Sequence, residues 1–176
     1  MQRFMFTYGA ISGVVTIVSM ILSLELFAGE QSMGALEWIG YLIMLVALSM
    51  IFVAVKRYRD LELGGVIPFG KALALGVSTA VVASLAYVVV WEAYIAISGN
   101  SFIDAYTDGV IAARRAEGAS PAELDAVVAS MREMKENYAD PLFRIPMTFV
   151  EIFPMGLIIA LVSAGVLRNP RVLPAE

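Results

Sequence analysis

Apolar residues fall in four long runs, set apart by short polar punctuation and one long mixed interval. The runs extend from about Phe4 to Ala28, Ala35 to Val55, Pro68 to Ser98 and Pro146 to Leu167. Each meets the requirement of roughly 20 mostly apolar residues for a helix that crosses a bilayer. The first run is longer than the roughly 7–15 residues of a signal h-region and no A-x-A site follows it, so it reads as a retained span. The mixed interval, Gly99 to Ile145, has a different period. Phe102, Ile103, Tyr106, Val110 and Ala113 recur at helical spacing, as do Leu124, Val127, Val128, Met131, Met134 and Tyr138. Gly118 suits a left-handed helix end. Ser120-Pro121-Ala122-Glu123 is a helix start, with an N-cap, a proline at the first position and a capping box. Pro141 reads as the end of the second helix.

The pattern predicts an all-α integral membrane four-helix bundle with an extramembrane amphipathic helical hairpin between spans three and four. Residues 1–98 hold spans one to three, 99–145 the hairpin, and 146–176 span four and a tail. The hairpin faces are expected either to pack on each other over the bundle or to dock another chain.

Composition agrees with a bilayer as solvent. Of the 176 residues, 60% are hydrophobic and 16% charged, against roughly 25% charged in soluble domains. Mean hydropathy is +0.80. A soluble chain of this size hides only about 70% of its surface, too little for so much apolar area. There is no Cys and no His, so thiolate nucleophiles, imidazole bases and Cys/His zinc sites are excluded. No cofactor motif, catalytic residue or metal site is read, and the chain is expected to be no enzyme.

Lys and Arg in the short connections set the orientation. Arg3, Lys56, Arg57, Arg59, Lys71, Arg168 and Arg171 lie on one side of the predicted spans, and the Gly29–Gly34 connection holds no basic residue. Both termini are therefore expected in the cytoplasm and the hairpin outside, as in a bacterial inner membrane with a periplasm. The net charge of −4 reflects eight of the sixteen acids on the hairpin and does not point to nucleic acid.

Two groups of polar residues stand out. An ionisable side chain in a span is expensive and usually functional. Glu92 on span three and Glu151 on span four are predicted roughly 8–9 Å below the outer boundary. Glu25 lies nearer that boundary on span one. Arg144, two turns before Glu151, lies on the same helix face, with a break expected at Ile145-Pro146. Pro154 frees the carbonyl of Val150. Several alternatives stand: a structural ion pair with Arg144, a protonated carboxyl, a cation or proton path, or, least of all, a two-carboxylate hydrolase. The second group is the cytoplasmic loop, where Lys56-Arg57-Tyr58-Arg59-Asp60 ends span two and Gly64-Gly65 turns the chain. It reads as an orientation signal touching anionic lipid, or as an Arg59–Asp60 network that fixes the loop or binds a partner. Lys71 is placed to snorkel.

Small residues recur at four-residue spacing in three spans: Gly9 and Gly13; Ala72, Gly76, Ala80 and Ser84; Gly156, Ala160 and Ala164. Such stripes serve close helix contacts, either inside one bundle or in a homo-oligomer.

The segments Y-R-D-x-x-x-G-G-x-I-x-F-G-K-A (Tyr58 to Ala72), W-E-x-Y (Trp91 to Tyr94) and P-L-F-R-x-P-x-T-F-x-E-I-F-P-x-G (Pro141 to Gly156) resemble the domain-of-unknown-function 4199 family. The resemblance covers nearly the whole chain and implies a small four-span bacterial inner-membrane protein. It implies no activity. Its matching positions include Arg59, Asp60, Gly64, Gly65, Lys71, Glu92, Glu151 and Pro154. The functional expectation is an oligomeric accessory or scaffold, alone or with a membrane partner. The alternative is a small proton- or cation-coupled transporter or channel using Glu92 and Glu151.

Overall fold

The computed structural model describes residues 1–27, 33–99 and 101–174, and within these the side chains of 1–23, 38–99 and 101–174. Seven helices are present among them: α1 (Gln2–Phe27), α2 (Met33–Leu48), α3 (Met50–Glu62), α4 (Phe69–Ser98), α5 (Ser101–Ala116), α6 (Pro121–Tyr138) and α7 (Pro141–Leu167). Four helical segments are long and apolar enough to cross a bilayer: α1, α2 continued by α3, α4 and α7. The chain is a helical membrane bundle. Two compact units divide it, one of residues 1–90 with 149–176, the other of residues 91–148.

In the first unit the small-residue stripes are internal. A Cβ on Gly9 would stand 2.8 Å from the backbone oxygen of Thr79 in α4. Gly13 meets Ala83 and Ala86 of the same helix. On a different face of α4, a Cβ on Gly76 would stand 2.9 Å from Cβ of Ala160 in α7, and one on Gly156 would stand 2.9 Å from Cβ of Ala80. Backbone approach of this kind is what small residues permit in lipid, where dispersion replaces the hydrophobic drive. Thr79, Ala80, Ala83 and Ser84 of α4 are fully or almost fully buried. The Ser12 hydroxyl ties α1 to α2 by donating to the Ala47 carbonyl at 2.8 Å. Large apolar side chains such as Phe6, Leu22, Leu42, Val46, Val89 and Val162 instead point outward, as hydrocarbon solvent allows.

Span two runs further than its apolar pattern. The Lys56-Arg57-Tyr58-Arg59-Asp60 segment, expected as the end of the span, is helical through Glu62. Two contacts hold it: Lys56 pairs with Asp60 one turn on at 2.7 Å, and the Arg59 side chain is fully buried. The helix stops at Gly64 and Gly65, at φ 64° and 89°, a conformation cheap only for glycine. The Gly65 N–H then donates to the Arg59 carbonyl at 3.0 Å, closing the helix end. At Ser49 the helix loosens for one residue, and the hydroxyl donates to the Val46 carbonyl at 2.6 Å.

The second unit holds the C-terminal turns of α4, the α5–α6 hairpin and the start of α7. The hairpin follows its signals. Gly118 is left-handed at φ 81°. The Ser120–Glu123 capping box is complete, the Ser120 N–H donating to Glu123 at 2.8 Å. The apolar faces of α5 and α6 meet each other around Ile103, Thr107 and Tyr138, and Val128 is the exposed large apolar side chain among the described hairpin residues. Lys135 of α6 reaches Asp104 of α5 at 2.5 Å.

The start of span four departs from expectation. Pro141 opens α7 instead of merely closing α6, and no break falls at Ile145-Pro146. Asp140 is the cap: its carboxylate accepts the Leu142 N–H at 2.9 Å, and its carbonyl accepts the Arg144 N–H at 3.0 Å. Proline at a first helical position lacks only an N–H that would be orphaned anyway. Arg144 thus sits in the first turn of a continuous helix.

Candidate functional site

The polar chemistry of the second unit converges on Arg144. Its Nε–H donates to Glu92 Oε1 at 2.7 Å and its Nη2 to Glu92 Oε2 at 2.6 Å. Its Nη1 donates to the Tyr138 carbonyl at 2.9 Å. The two-point fork matches the planar guanidinium to the carboxylate. The Tyr138 ring lies beneath the guanidinium, 5.6 Å from its centroid. Trp91, beside Glu92 in sequence, donates its indole N–H to the Tyr138 hydroxyl at 2.7 Å. The Phe102 ring stands edge-on to Trp91 at 4.8 Å, and Tyr94 stacks on it at 5.4 Å. The end of α4, the hairpin and the start of α7 are thereby joined by one ion pair in an aromatic frame. Of the alternatives open for Glu92, the structural pair is the one found.

Glu151 belongs to the first unit. It is exposed on α7 and makes no hydrogen bond or ion pair with any described residue. Pro154, three residues on, is exposed as well. The Glu25 side chain lies outside the described residues.

At the other end of the first unit Arg59 does something its loop motif only hinted at. Its Nε–H donates to Asp60 at 2.7 Å. Its other two nitrogens reach across 113 and 114 residues to the carbonyls of Val172, at 2.9 Å, and of Leu173. A fully buried guanidinium therefore holds the C-terminal tail. Leu173 sits at φ 49°, a region unusual for a residue with a Cβ. Around the clamp Val55, Tyr58, Ile67, Ala72, Leu75, Ala164 and Leu167 form an apolar cluster. Phe4 of α1 packs edge-on against Tyr58 at 5.5 Å. Lys71 lies over the Tyr58 ring, 5.9 Å from its centroid. The Arg59–Asp60 network that fixes the loop is present, and Gly64 and Gly65 form its turn. Sequence pointed to Arg59 but not to the tail, because backbone carbonyls carry no residue signature.

Outside the spans two ionisable groups move. Hydrogen bonds from the Ser120 N–H and hydroxyl hold the Glu123 carboxyl below its ordinary range. The Asp104 carboxylate beside Lys135 raises that ammonium above its ordinary value.

Neither a curated protein nor a solved structure matches the chain. A family model does, over residues 7–169, under the description "Protein of unknown function (DUF4199)". The match takes in most of span one, spans two to four, Arg59 and the Glu92–Arg144 fork and stops short of Val172 and Leu173; the chain belongs to this family.

Proposed function

We propose that this chain is a non-catalytic accessory or scaffold protein of the bacterial inner membrane, with both termini cytoplasmic. It presents the α5–α6 hairpin outside the bilayer and assembles there with a second copy or another membrane chain. Support comes first from the Arg144–Glu92 fork, which uses the polar groups of the second unit to brace the hairpin. The small-residue stripes are engaged inside one chain, and the apolar hairpin faces meet each other. Assembly therefore falls to the charged outer faces of α5 and α6, and no nucleic acid or cofactor is invoked. The native chain has no cysteine, so single-cysteine variants are clean probes. Asp125→Cys and Arg115→Cys are expected to crosslink in membranes and to react with a membrane-impermeant reagent from outside. Arg57→Cys and Asn169→Cys are expected to react only after the membrane is opened. A strict monomer by mass in mild detergent, with no crosslink from either hairpin position, overturns the assembly.

One observation favours a second reading, proton- or cation-coupled transport: Glu151 has no partner among the described residues. The reading uses Glu92 as well, and Arg144 holds both oxygens of that carboxylate. Ion flux in liposomes is then expected to fall with Glu151→Gln, and flux absent from the parent protein rejects it.

A further inference from the structure

Between span two and α7 of the first unit lies an open groove of about 500 Å³, within the roughly 300–1,000 Å³ of ordinary small-molecule sites. Leu45, Val46 and Phe52 line it from span two, and Met155, Ile158 and Val162 from α7. Two hydroxyls also border it, Ser49 and Ser163. Both are turned to their own helices, donating to the carbonyls of Val46 and Ile159 at 2.6 Å. The groove thus offers hydrocarbon and an aromatic ring, and no free donor for an anion or a sugar.

Glu151 lies four, seven and eleven residues before Met155, Ile158 and Val162, the spacing of one helix face. The carboxyl therefore stands one turn beyond the outer end of the groove. It is exposed and has no partner among the described residues. Pro154 supplies no N–H to the Val150 carbonyl one turn back, which leaves a second acceptor beside Glu151. No Lys or Arg occurs from Met33 to Val55 or from Ile145 to Leu167, so neither helix of the groove neutralises the carboxylate. Among the described residues no three acidic side chains stand together to hold a metal ion. A single carboxyl with one extra carbonyl suits a large monovalent cation better than a hard divalent one, which takes 6–8 oxygens.

We infer that Glu151 and this groove form a binding site for a monovalent organic cation with apolar bulk, such as a quaternary phosphonium or ammonium with aromatic or aliphatic arms. The arms fill the groove along roughly 12 Å of α7, from Met155 to Ser163. The charge rests on Glu151. A phospholipid ammonium does not suit, because Glu151 lies ten residues into the Pro141–Leu167 span, roughly 15 Å along the helix.

The site is independent of whether the chain assembles or transports, and its test reads binding alone. The full chain in detergent micelles is dialysed against labelled tetraphenylphosphonium and, separately, tetraphenylborate, its anionic counterpart of similar shape. Saturable binding of the cation and none of the anion is expected. Glu151→Gln weakens the cation by about tenfold or more, and Glu151→Asp retains most of the affinity. Val162→Trp, which fills the groove, weakens it comparably, while Leu161→Trp, outside the groove, does not. Absence of saturable cation binding, equal binding of both ions, or unchanged affinity in Glu151→Gln overturns the site.

Discussion

Arg144 and Glu92, 52 residues apart, meet in a two-point salt bridge of 2.7 and 2.6 Å with little solvent around the guanidinium. Removing one member of such a pair leaves an uncompensated charge, which costs about 3–5 kcal/mol when fully buried. Glu92 is a quarter exposed, so Glu92→Gln is expected to destabilise by about 1–3 kcal/mol. The double variant Glu92→Leu with Arg144→Met is expected to lose less than the two single changes summed. Thermal unfolding of the four proteins in one detergent forms the cycle, and strict additivity would refute the coupling.

The tail clamp makes a different kind of prediction. Arg59→Ala removes the donor to the Val172 and Leu173 carbonyls; the tail there is half-buried to exposed, so water takes up part of the loss and a cost of about 0.5–1.5 kcal/mol is expected. Arg59→Lys keeps the charge but loses the fork. Both variants are expected to expose the segment after Leu167 to carboxypeptidase, with Lys intermediate. Equal digestion of parent and Arg59→Ala would show that the tail is held by other means.

Glycines in the bundle separate by what surrounds them. Gly9→Ala and Gly156→Ala place a Cβ within 2.8–2.9 Å of neighbouring atoms, and overpacking of this kind costs about 1–3 kcal/mol. Gly40→Ala in α2 meets nothing within 4 Å, so helix propensity governs and stability rises by about 0.5–1 kcal/mol. Melting temperatures of opposite sign are the expected readout.

The hairpin carries a pH signature. Glu123 has its carboxyl held below the ordinary range by Ser120. A lowered folded-state pKa contributes stability above the unfolded value, and loses it as pH falls through the folded one. Protection of the first-turn amides of α6 against hydrogen exchange is therefore expected to drop as pH falls below the ordinary carboxylate range. Glu123→Gln is expected to remove that dependence, and Ser120→Ala, which keeps the backbone N–H and loses only the hydroxyl, to reduce it. Lys135, raised by Asp104, behaves oppositely: its contribution is whole below the ordinary lysine value and is lost as pH rises through the folded one. A hairpin equally protected at all pH values in the parent chain would count against both contacts.

Much was legible along the chain because its signals are local. A capping box such as Ser120–Glu123 and a left-handed Gly118 specify a helix end within a few residues. The same locality misled at Pro141 and at Lys56–Asp60. A proline ends one helix or starts the next depending on whether Asp140 turns back to cap it. A basic run reads as a loop until its arginine finds a buried place. Glu92 and Glu151 looked alike by depth and residue type. Arg144 holds one of them, while the other is exposed without a partner among the described residues.

What the sequence determined alone is the solvent: four apolar runs that hold few charges require a bilayer, since no core of this size could hide them from water. It also determined the hairpin, whose helix starts, stops and apolar faces are written in short-range periodicity. Tertiary structure alone decided which groups became partners. The stripes of Gly9 and Gly156 say that close contact is wanted, and only packing shows that α4 supplies it on two faces. Arg59 holds backbone carbonyls 113 and 114 residues away, and any residue there would present the same carbonyls. Pairing depends on distances between elements, and these follow from how the helices pack together, whereas crossing a membrane depends on composition that each helix carries by itself.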